Sequence, residues 1–194
     1  MLNTSRYPDE RPVSPLLGEA EERAYGALPG PVPHTAAELA AVIRLVTALA
    51  PRTGTVAVGH GRDTASRAAA AAFATAWQER GGQLVAVVDW PETAASWLRP
   101  ARRLTAPAPD AWVVAAAPLG WIRMSRRLRH STDWDPGRTV AFASLRDSRL
   151  PAVAGPGTLH GLRGATADGG SWDIRHRWVT SHPAPEGGDP RWTR

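Results

Sequence analysis

The residues best suited to contact a ligand follow four short apolar segments of the chain. Arginine and aspartate side chains at such positions can pair with the charged ends of a zwitterion, and tryptophan side chains can form flat apolar walls. For Asp63 and Asp147 an alternative stays open, namely that each carboxylate only caps the helix that follows it. The predicted ligand-binding set is His60, Arg62, Asp63, Thr64, Trp90, Trp121, Ser144, Arg146 and Asp147.

Patterns of catalysis and metal binding are missing from the 194 residues. There is no cysteine, so thiolate nucleophiles and cysteine-ligated metals are excluded. The six histidines show no HExxH spacing, and the Gly59-His60-Gly61 segment lacks the third glycine of a dinucleotide fingerprint. No lysine is present for a Walker-type phosphate loop, and no G-x-S-x-G elbow presents a serine. The sequence therefore favours a non-enzymatic protein with no cofactor and no metal.

All 23 basic residues of the chain are arginines, and the net charge is +5. Arginine without lysine is typical of a high-GC genome, so solvated surface is the simplest interpretation of these side chains. Two groups of arginines at helical spacing are predicted to form solvent-exposed helix faces or, if their helices lie side by side, a surface for an acidic partner. They are Arg99, Arg102 and Arg103, and Arg123, Arg126 and Arg127. Nucleic acid binding is an alternative for the same arginines, but it is not favoured, because no reading element accompanies the charge.

Alternating apolar strands and amphipathic helices would position the candidate residues. Buried strands are predicted at 55–59, 84–88, 111–117 and 139–143, with helices from 35, from 63, at 99–104 and at 119–130. Strands joined by helices pair in parallel with right-handed crossovers. We therefore predict an α/β three-layer sandwich with a mainly parallel four- to five-stranded sheet and helices on both faces. In such sheets ligands bind outside the carboxyl ends of the strands.

Both ends of the chain differ in character from its centre. Residues 1–34 are proline-rich and are predicted to form an irregular lead-in with a helical turn near 19–24, followed by an α/β lobe at 35–180. Residues 151–170 show no clear element, 172–179 resemble one strand, and 181–194 are predicted to form a flexible tail. Neither a membrane span nor a secretory signal is apparent. We expect a cytoplasmic protein, or an extracytoplasmic one if the chain starts after an export signal.

The order of these segments resembles one lobe of the substrate-binding proteins of ABC transporters, of the periplasmic-binding type that handles branched-chain amino acids. The resemblance covers residues 53–175 and rests on TVAVGHGRDTASRAAAAAFATAWQERGG, on the aromatic and proline that end the second strand, and on Pro109-Asp110-Ala111. It implies a small-molecule ligand, an amino acid or a small acid. Family members have two lobes around the ligand, so a homodimer or a partner chain is expected to complete the cleft.

A second resemblance leads to a different class of protein. Residues 34–66 are similar to the start of phosphohexomutases, in which a strand ends in V-G-R-D. His60 and Gly61 interrupt that motif, and the third strand is followed by AAAPLGW where that family has its catalytic serine loop. This resemblance implies a degenerate α/β domain that lacks the catalytic residue.

Overall fold

Helices and strands alternate along most of the chain. The computed structural model describes residues 14, 16–50 and 54–185. The helices are α1 (Glu19–Ala24), α2 (Ala36–Leu49), α3 (Thr64–Glu79), α4 (Leu98–Thr105), α5 (Pro118–Ser131) and α6 (Leu150–Ala154). The strands are β1 (Thr55–Gly61), β2 (Gln83–Trp90), β3 (Ala111–Ala115), β4 (Thr139–Ala141), β5 (Arg163–Ala165), β6 (Ser171–Arg175) and β7 (Trp178–His182).

The strands of the described residues form one sheet in the order β2-β1-β3-β4-β5-β6-β7. Pairing is parallel from β2 to β5 and antiparallel from β5 to β7. The predicted mainly parallel α/β sheet is confirmed, but its size was underestimated, because five parallel strands are extended by a β6–β7 hairpin. The five parallel strands share one direction, so their carboxyl ends lie at one edge, here called the rim.

Two apolar cores cover the two faces of the sheet, which confirms the three-layer arrangement. One core contains buried side chains of α2 and α3, and the other contains those of α4, α5 and α6. Residues of β1 alternate between them, with Val56 and Val58 in the first and Ala57 in the second. This alternation explains why the strand is apolar throughout rather than at every second position.

Local sequence signals define the start of α2 and the end of α3. The Thr35 hydroxyl accepts a hydrogen bond from the Glu38 amide at 3.0 Å, and the Glu38 carboxylate accepts one from the Thr35 amide at 3.4 Å. This reciprocal capping satisfies two donors that a helix start leaves unpaired. Beyond α3, Gly81 has a φ of 80°, a conformation that strains residues with a side chain.

Strand β2 was predicted to be buried on both faces, but it lies at an edge of the sheet. Val85 and Val87 are 37% and 50% exposed. The α3 helix packs mainly over β1 and β3 and leaves one face of the edge strand open. An apolar run therefore marks a strand without showing its position in the sheet.

The region after β4 contains more structure than its sequence predicts. The segment 151–170 holds most of α6 and all of β5, and the single strand expected at 172–179 is instead a hairpin. Its turn includes His176, which has a φ of 57°. Strand β7 extends through Ser181 and His182, two residues into the segment assigned to a flexible tail. Residues 186–194 of that segment lie outside the described part of the chain.

The two arginine groups differ in their surroundings. The α4 group is exposed, as a solvent-facing side of a helix requires; it comprises Arg99, Arg102 and Arg103. The same prediction is wrong for α5, because Arg126 is only 3% exposed and Arg123 is partly buried. Arg126 donates to the Ser14 and Val153 carbonyls, at 2.8 and 3.2 Å. Helical spacing placed these arginines on one face, but other parts of the chain cover that face.

Within the described residues, no helix is both long enough and apolar enough to cross a bilayer.

Candidate functional site

The rim brings together turns that are far apart in the sequence. Strands β1 to β5 end there at Gly61, Trp90, Ala115, Ala141 and Ala165. The turns that follow these ends carry most of the predicted ligand-binding residues. The expectation that they gather at one edge is confirmed by the parallel pairing.

Asp63 and Ser66 are two residues of the rim that have unused hydrogen-bonding capacity, as do the indole N–H groups of Trp90 and Trp121. Asp63 caps α3, because its Oδ1 accepts from the Ser66 amide at 2.8 Å. Its Oδ2 and the Ser66 hydroxyl are buried and have no hydrogen-bond partner among the described residues. A buried polar atom without a partner costs free energy unless something else binds it. Asp63 is therefore a cap and also offers a free oxygen.

Gly61 packs closely beside these two polar atoms. A Cβ atom added to Gly61 would lie 2.8 Å from Asp63 Oδ2 and 3.5 Å from Ser66 Oγ. The same point lies 3.6 Å from the Ala116 Cα atom. The two oxygens thus lie close to Gly61 near the ends of β1 and β3, and a side chain at position 61 would clash with the Asp63 carboxylate.

Ser66 was missed as a site residue because it lies within a helix rather than at a strand end. It shares the buried side of α3 with Ala69, Ala70, Phe73 and Trp77. This i, i+3, i+4, i+7 and i+11 spacing is that of a core-facing stripe. A serine at the first position of an otherwise apolar stripe is the sequence signal that could have identified it.

His60, Arg62 and Thr64 lie around the same turn, and the first two are engaged in hydrogen bonds within the chain. The Arg62 guanidinium donates to the Asp89 carboxylate at 2.5 Å, and both side chains are largely exposed. The hydrogen bond from Arg62 lowers the pKa of Asp89 below the usual aspartate value. The His60 Nδ1 donates to the Gly61 carbonyl at 2.7 Å. Thr64 is the exposed first residue of α3.

Trp90 and Trp121 do not form the walls of an open pocket, which corrects the prediction made for them. Both are fully buried, and their rings contact each other in a tilted arrangement with centroids 6.1 Å apart. A Cβ atom on Gly59 would lie 2.7 Å from the Trp90 ring, so that glycine provides space for the indole. Trp121 also contacts Trp134 edge to face at 5.6 Å. These tryptophans fill the core beneath the rim.

The turn after β4 contributes one rim residue and one internal ion pair. The Ser144 hydroxyl donates to the Ala116 carbonyl at 2.9 Å, so it joins the ends of β3 and β4. Asp147 accepts from Arg149 at 2.7 and 3.0 Å, and these bonds lower the pKa of its carboxyl group. Arg146 is exposed. Asp147 therefore holds another side chain instead of presenting a free charge.

Glu38 and the residues before α2 are rim components that the sequence did not reveal. The Glu38 carboxylate is 4% exposed and accepts from the Ala143 amide at 2.6 Å, in addition to its capping role. The His34 ring contacts the Phe142 ring edge to face at 5.9 Å. Pro31 and Val32 line the same shallow pocket as Ser66 and Ser144. The free space left there is about 10 Å³, comparable with one water molecule.

Residues 22–34, here called the strap, cover a longer part of the rim. Arg149 donates to the carbonyls of Tyr25 and Ala27 at 3.3 and 3.2 Å. Residues 25–30 of the strap face residues 117–119 across a pocket of about 280 Å³. Leu28 packs against the core on the α5 side of the sheet. The segment predicted as an irregular lead-in thus closes over the rim.

The fold is similar to that of substrate-binding proteins of ABC transporters. A protein from Rhodospirillum rubrum described as a branched-chain amino acid ABC transporter matches with a TM-score of 0.57 and 22% identity, over 69% of this chain and 38% of that one. A corresponding protein from Silicibacter pomeroyi matches with a TM-score of 0.57 and 16% identity, over 75% and 38%. An ABC transporter substrate-binding protein from Aeropyrum pernix matches with a TM-score of 0.56 and 21% identity, over 69% and 35%.

These comparisons define the class of fold and its extent. The chain has the mixed α/β fold of periplasmic binding proteins, and it spans little more than a third of the neighbours' length, consistent with one lobe. No family model and no curated protein matches the sequence. The comparisons give no support to the phosphohexomutase resemblance or to nucleic-acid binding.

Proposed function

We propose that this protein is a non-enzymatic binding domain that takes a small, amino-acid-like molecule at the rim of its sheet. The observation that carries the proposal is the pair of buried oxygens of Asp63 and Ser66, which have no hydrogen-bond partner among the described residues and lie close to Gly61. In open α/β sheets this edge is where ligands bind, since the strand ends and helix starts leave polar groups unpaired there.

The chemistry of the two oxygens suits one end of a zwitterion. Asp63 Oδ2 can only accept when ionised, so it favours a donor such as an ammonium group. The Ser66 hydroxyl can both donate and accept. The structural neighbours described as branched-chain amino acid transporters support the same ligand class.

Two further properties follow from the size and class of the fold. A single lobe offers half a cleft, so we expect a second copy of the chain or a partner chain to complete the site. Mass measurement in solution with and without ligand tests this expectation. Neighbours described as extracellular or periplasmic receptors favour an extracytoplasmic location over the cytoplasmic one first expected. Fractionation of the native cells distinguishes the two.

Thermal unfolding with a panel of amino acids tests the proposed function. A ligand that binds only the folded state at one hundred times its Kd adds about 2.7 kcal/mol to the free energy of unfolding. We expect at least one amino acid to raise the thermal midpoint of the wild-type chain, and Ser66→Ala to reduce that shift. Ser125→Ala is the matched control, because Ser125 is also a buried helical serine but donates to the Ile122 carbonyl at 3.1 Å. Absence of any shift at millimolar ligand would refute the proposal.

A further inference from the structure

Arg123 is a preorganised cation beside the pocket that the strap closes. Its guanidinium donates to the Glu92 carbonyl at 2.6 Å and lies 5.7 Å from the ring centroid of Trp97. Trp97 is itself fixed, because its indole donates to the Pro91 carbonyl at 2.9 Å and only 5% of the residue is exposed. The Arg123 side chain is 14% exposed. The rim therefore holds this charge in place through contacts that do not involve the strap.

The strap supplies the carboxylate that Arg123 binds. Glu22 Oε2 accepts from the Arg123 guanidinium at 2.6 Å. Glu22 comes from α1, about one hundred residues before Arg123 in the chain, and its side chain is 34% exposed. The charged partner of Arg123 is thus the more exposed member of the pair and belongs to the segment that covers the rim.

The pocket next to this ion pair has the lining of a site for a small apolar molecule. Its volume is about 280 Å³, and Glu22 itself is one of its lining residues. Leu28, Leu119 and Val153 contribute apolar surface, and Glu92 lines it near the Arg123 contact. Small-molecule sites typically combine such apolar lining with a few placed polar groups.

We propose that the Glu22 carboxylate occupies the position of a ligand carboxylate at the Arg123 guanidinium, and that a small apolar carboxylate competes with it for that position. This inference goes beyond the proposed function, because it assigns a carboxylate-binding group beside a second pocket of the rim, one that Asp63 and Ser66 do not line. Exchange of one carboxylate for another keeps the charge of the pocket unchanged, so the guanidinium is never left without a counter-ion. The strap would then regulate the site, because it must release Arg123 before the ligand carboxylate binds.

The test compares two isosteric charge removals on the same helix of the full chain. Glu22→Gln removes the competing charge, whereas Glu19→Gln removes an exposed charge whose carboxylate has no ion-pair partner among the described residues. The probes are isovalerate and isovaleramide, which have nearly the same size but differ in charge. We expect Glu22→Gln to bind isovalerate about twofold to fivefold more tightly than wild type, the range for a partly exposed ion pair. Glu19→Gln should bind isovalerate as tightly as wild type does, and isovaleramide should bind to none of the three proteins.

Amide hydrogen exchange of residues 25–30 gives a second readout without ligand. Faster exchange in Glu22→Gln than in Glu19→Gln is expected if the ion pair holds the strap closed. Equal exchange and equal isovalerate affinity in the two variants would overturn the inference. So would retained isovalerate binding in Arg123→Gln; if that variant does not fold, the Glu22 and Glu19 variants decide.

The outcomes separate this inference from the proposed function. If amino acids raise the thermal midpoint and the shift depends on Ser66, but isovalerate binds no variant, the competition model is wrong and the rim site stands. If neither amino acids nor isovalerate bind any variant, both proposals fail.

Discussion

Replacing Ser66 with alanine should make the folded protein more stable. The residue is 2% exposed, and its hydroxyl has no hydrogen-bond partner among the described residues. The capping bond to Asp63 uses the Ser66 backbone amide, so the substitution leaves it in place. Only the unpaired hydroxyl is removed.

The expected gain combines two contributions. A buried polar group without a partner costs about 1–3 kcal/mol, and removing it recovers part of that cost. Alanine also has a helix propensity higher than that of serine by about 0.5 kcal/mol. We expect the free energy of unfolding to rise by about 1–2 kcal/mol, which corresponds to about 2–8 °C in the thermal midpoint for a chain of this size.

Urea and thermal unfolding of Ser66→Ala and Ser125→Ala measure this effect. Ser125 donates to the Ile122 carbonyl, so its loss removes a hydrogen bond worth about 1 kcal/mol, and the gain in helix propensity offsets only part of that. We therefore expect Ser66→Ala to be the more stable variant. If Ser66→Ala is less stable than wild type, or no more stable than Ser125→Ala, the hydroxyl is satisfied in solution and the argument for a vacant hydrogen-bonding site fails.

Three further predictions concern the residues that shape the rim. Because Arg149 lowers the pKa of Asp147, the stabilisation from this pair is present above the ordinary aspartate pKa of about 3.9 and is lost as the pH falls through the folded-state value. Protection of the strap amides, taken as the intrinsic exchange rate divided by the observed rate at each pH, should therefore fall only in acid, and protection that stays constant with pH would contradict this. Gly164→Ala should destabilise the fold by several kcal/mol in urea unfolding, because the added methyl group would meet the backbone of β4 and an indole of β6; a neutral effect would show that β5 can shift. Glu38→Ala should lower the free energy of unfolding by about 2–3 kcal/mol, because it leaves the Ala143 amide unpaired and removes a helix cap. Glu38→Gln keeps an acceptor and should lower it less, so equal losses in the two variants would refute the role of the acceptor.

Local sequence signals predicted the parallel half of the fold well. The helices predicted to start from 35 and from 63 are α2 and α3, and the Thr35 and Asp63 side chains cap them with hydrogen bonds. The short helix containing Pro100 was expected at 99–104 and is α4, Leu98–Thr105. Such features succeed because capping, apolar runs and proline act within a few residues. They position turns at the rim without showing which side chains the turns present.

The surroundings of the candidate site residues were predicted less accurately than the strands and helices, and the reason is physical. Trp90 and Trp121 follow strands, as ligand-contacting residues often do, but the space left by Gly59 allows the first to pack inward. Arg62 and Asp147 were assigned to a ligand, and each is paired with another side chain of the chain. Whether a charge is free depends on partners that are distant in sequence, and single-residue patterns do not include them.

The sequence by itself determined the order of strands and helices from α2 to β4, the direction of those parallel strands and the edge at which their turns gather. These follow from short-range propensity and from the handedness of strand–helix–strand connections. Only the tertiary structure decided that the residues before α2 close over that edge, and that Glu22 reaches Arg123. These two residues are about one hundred positions apart, so their contact depends on the tertiary fold. No periodicity within either segment encodes it.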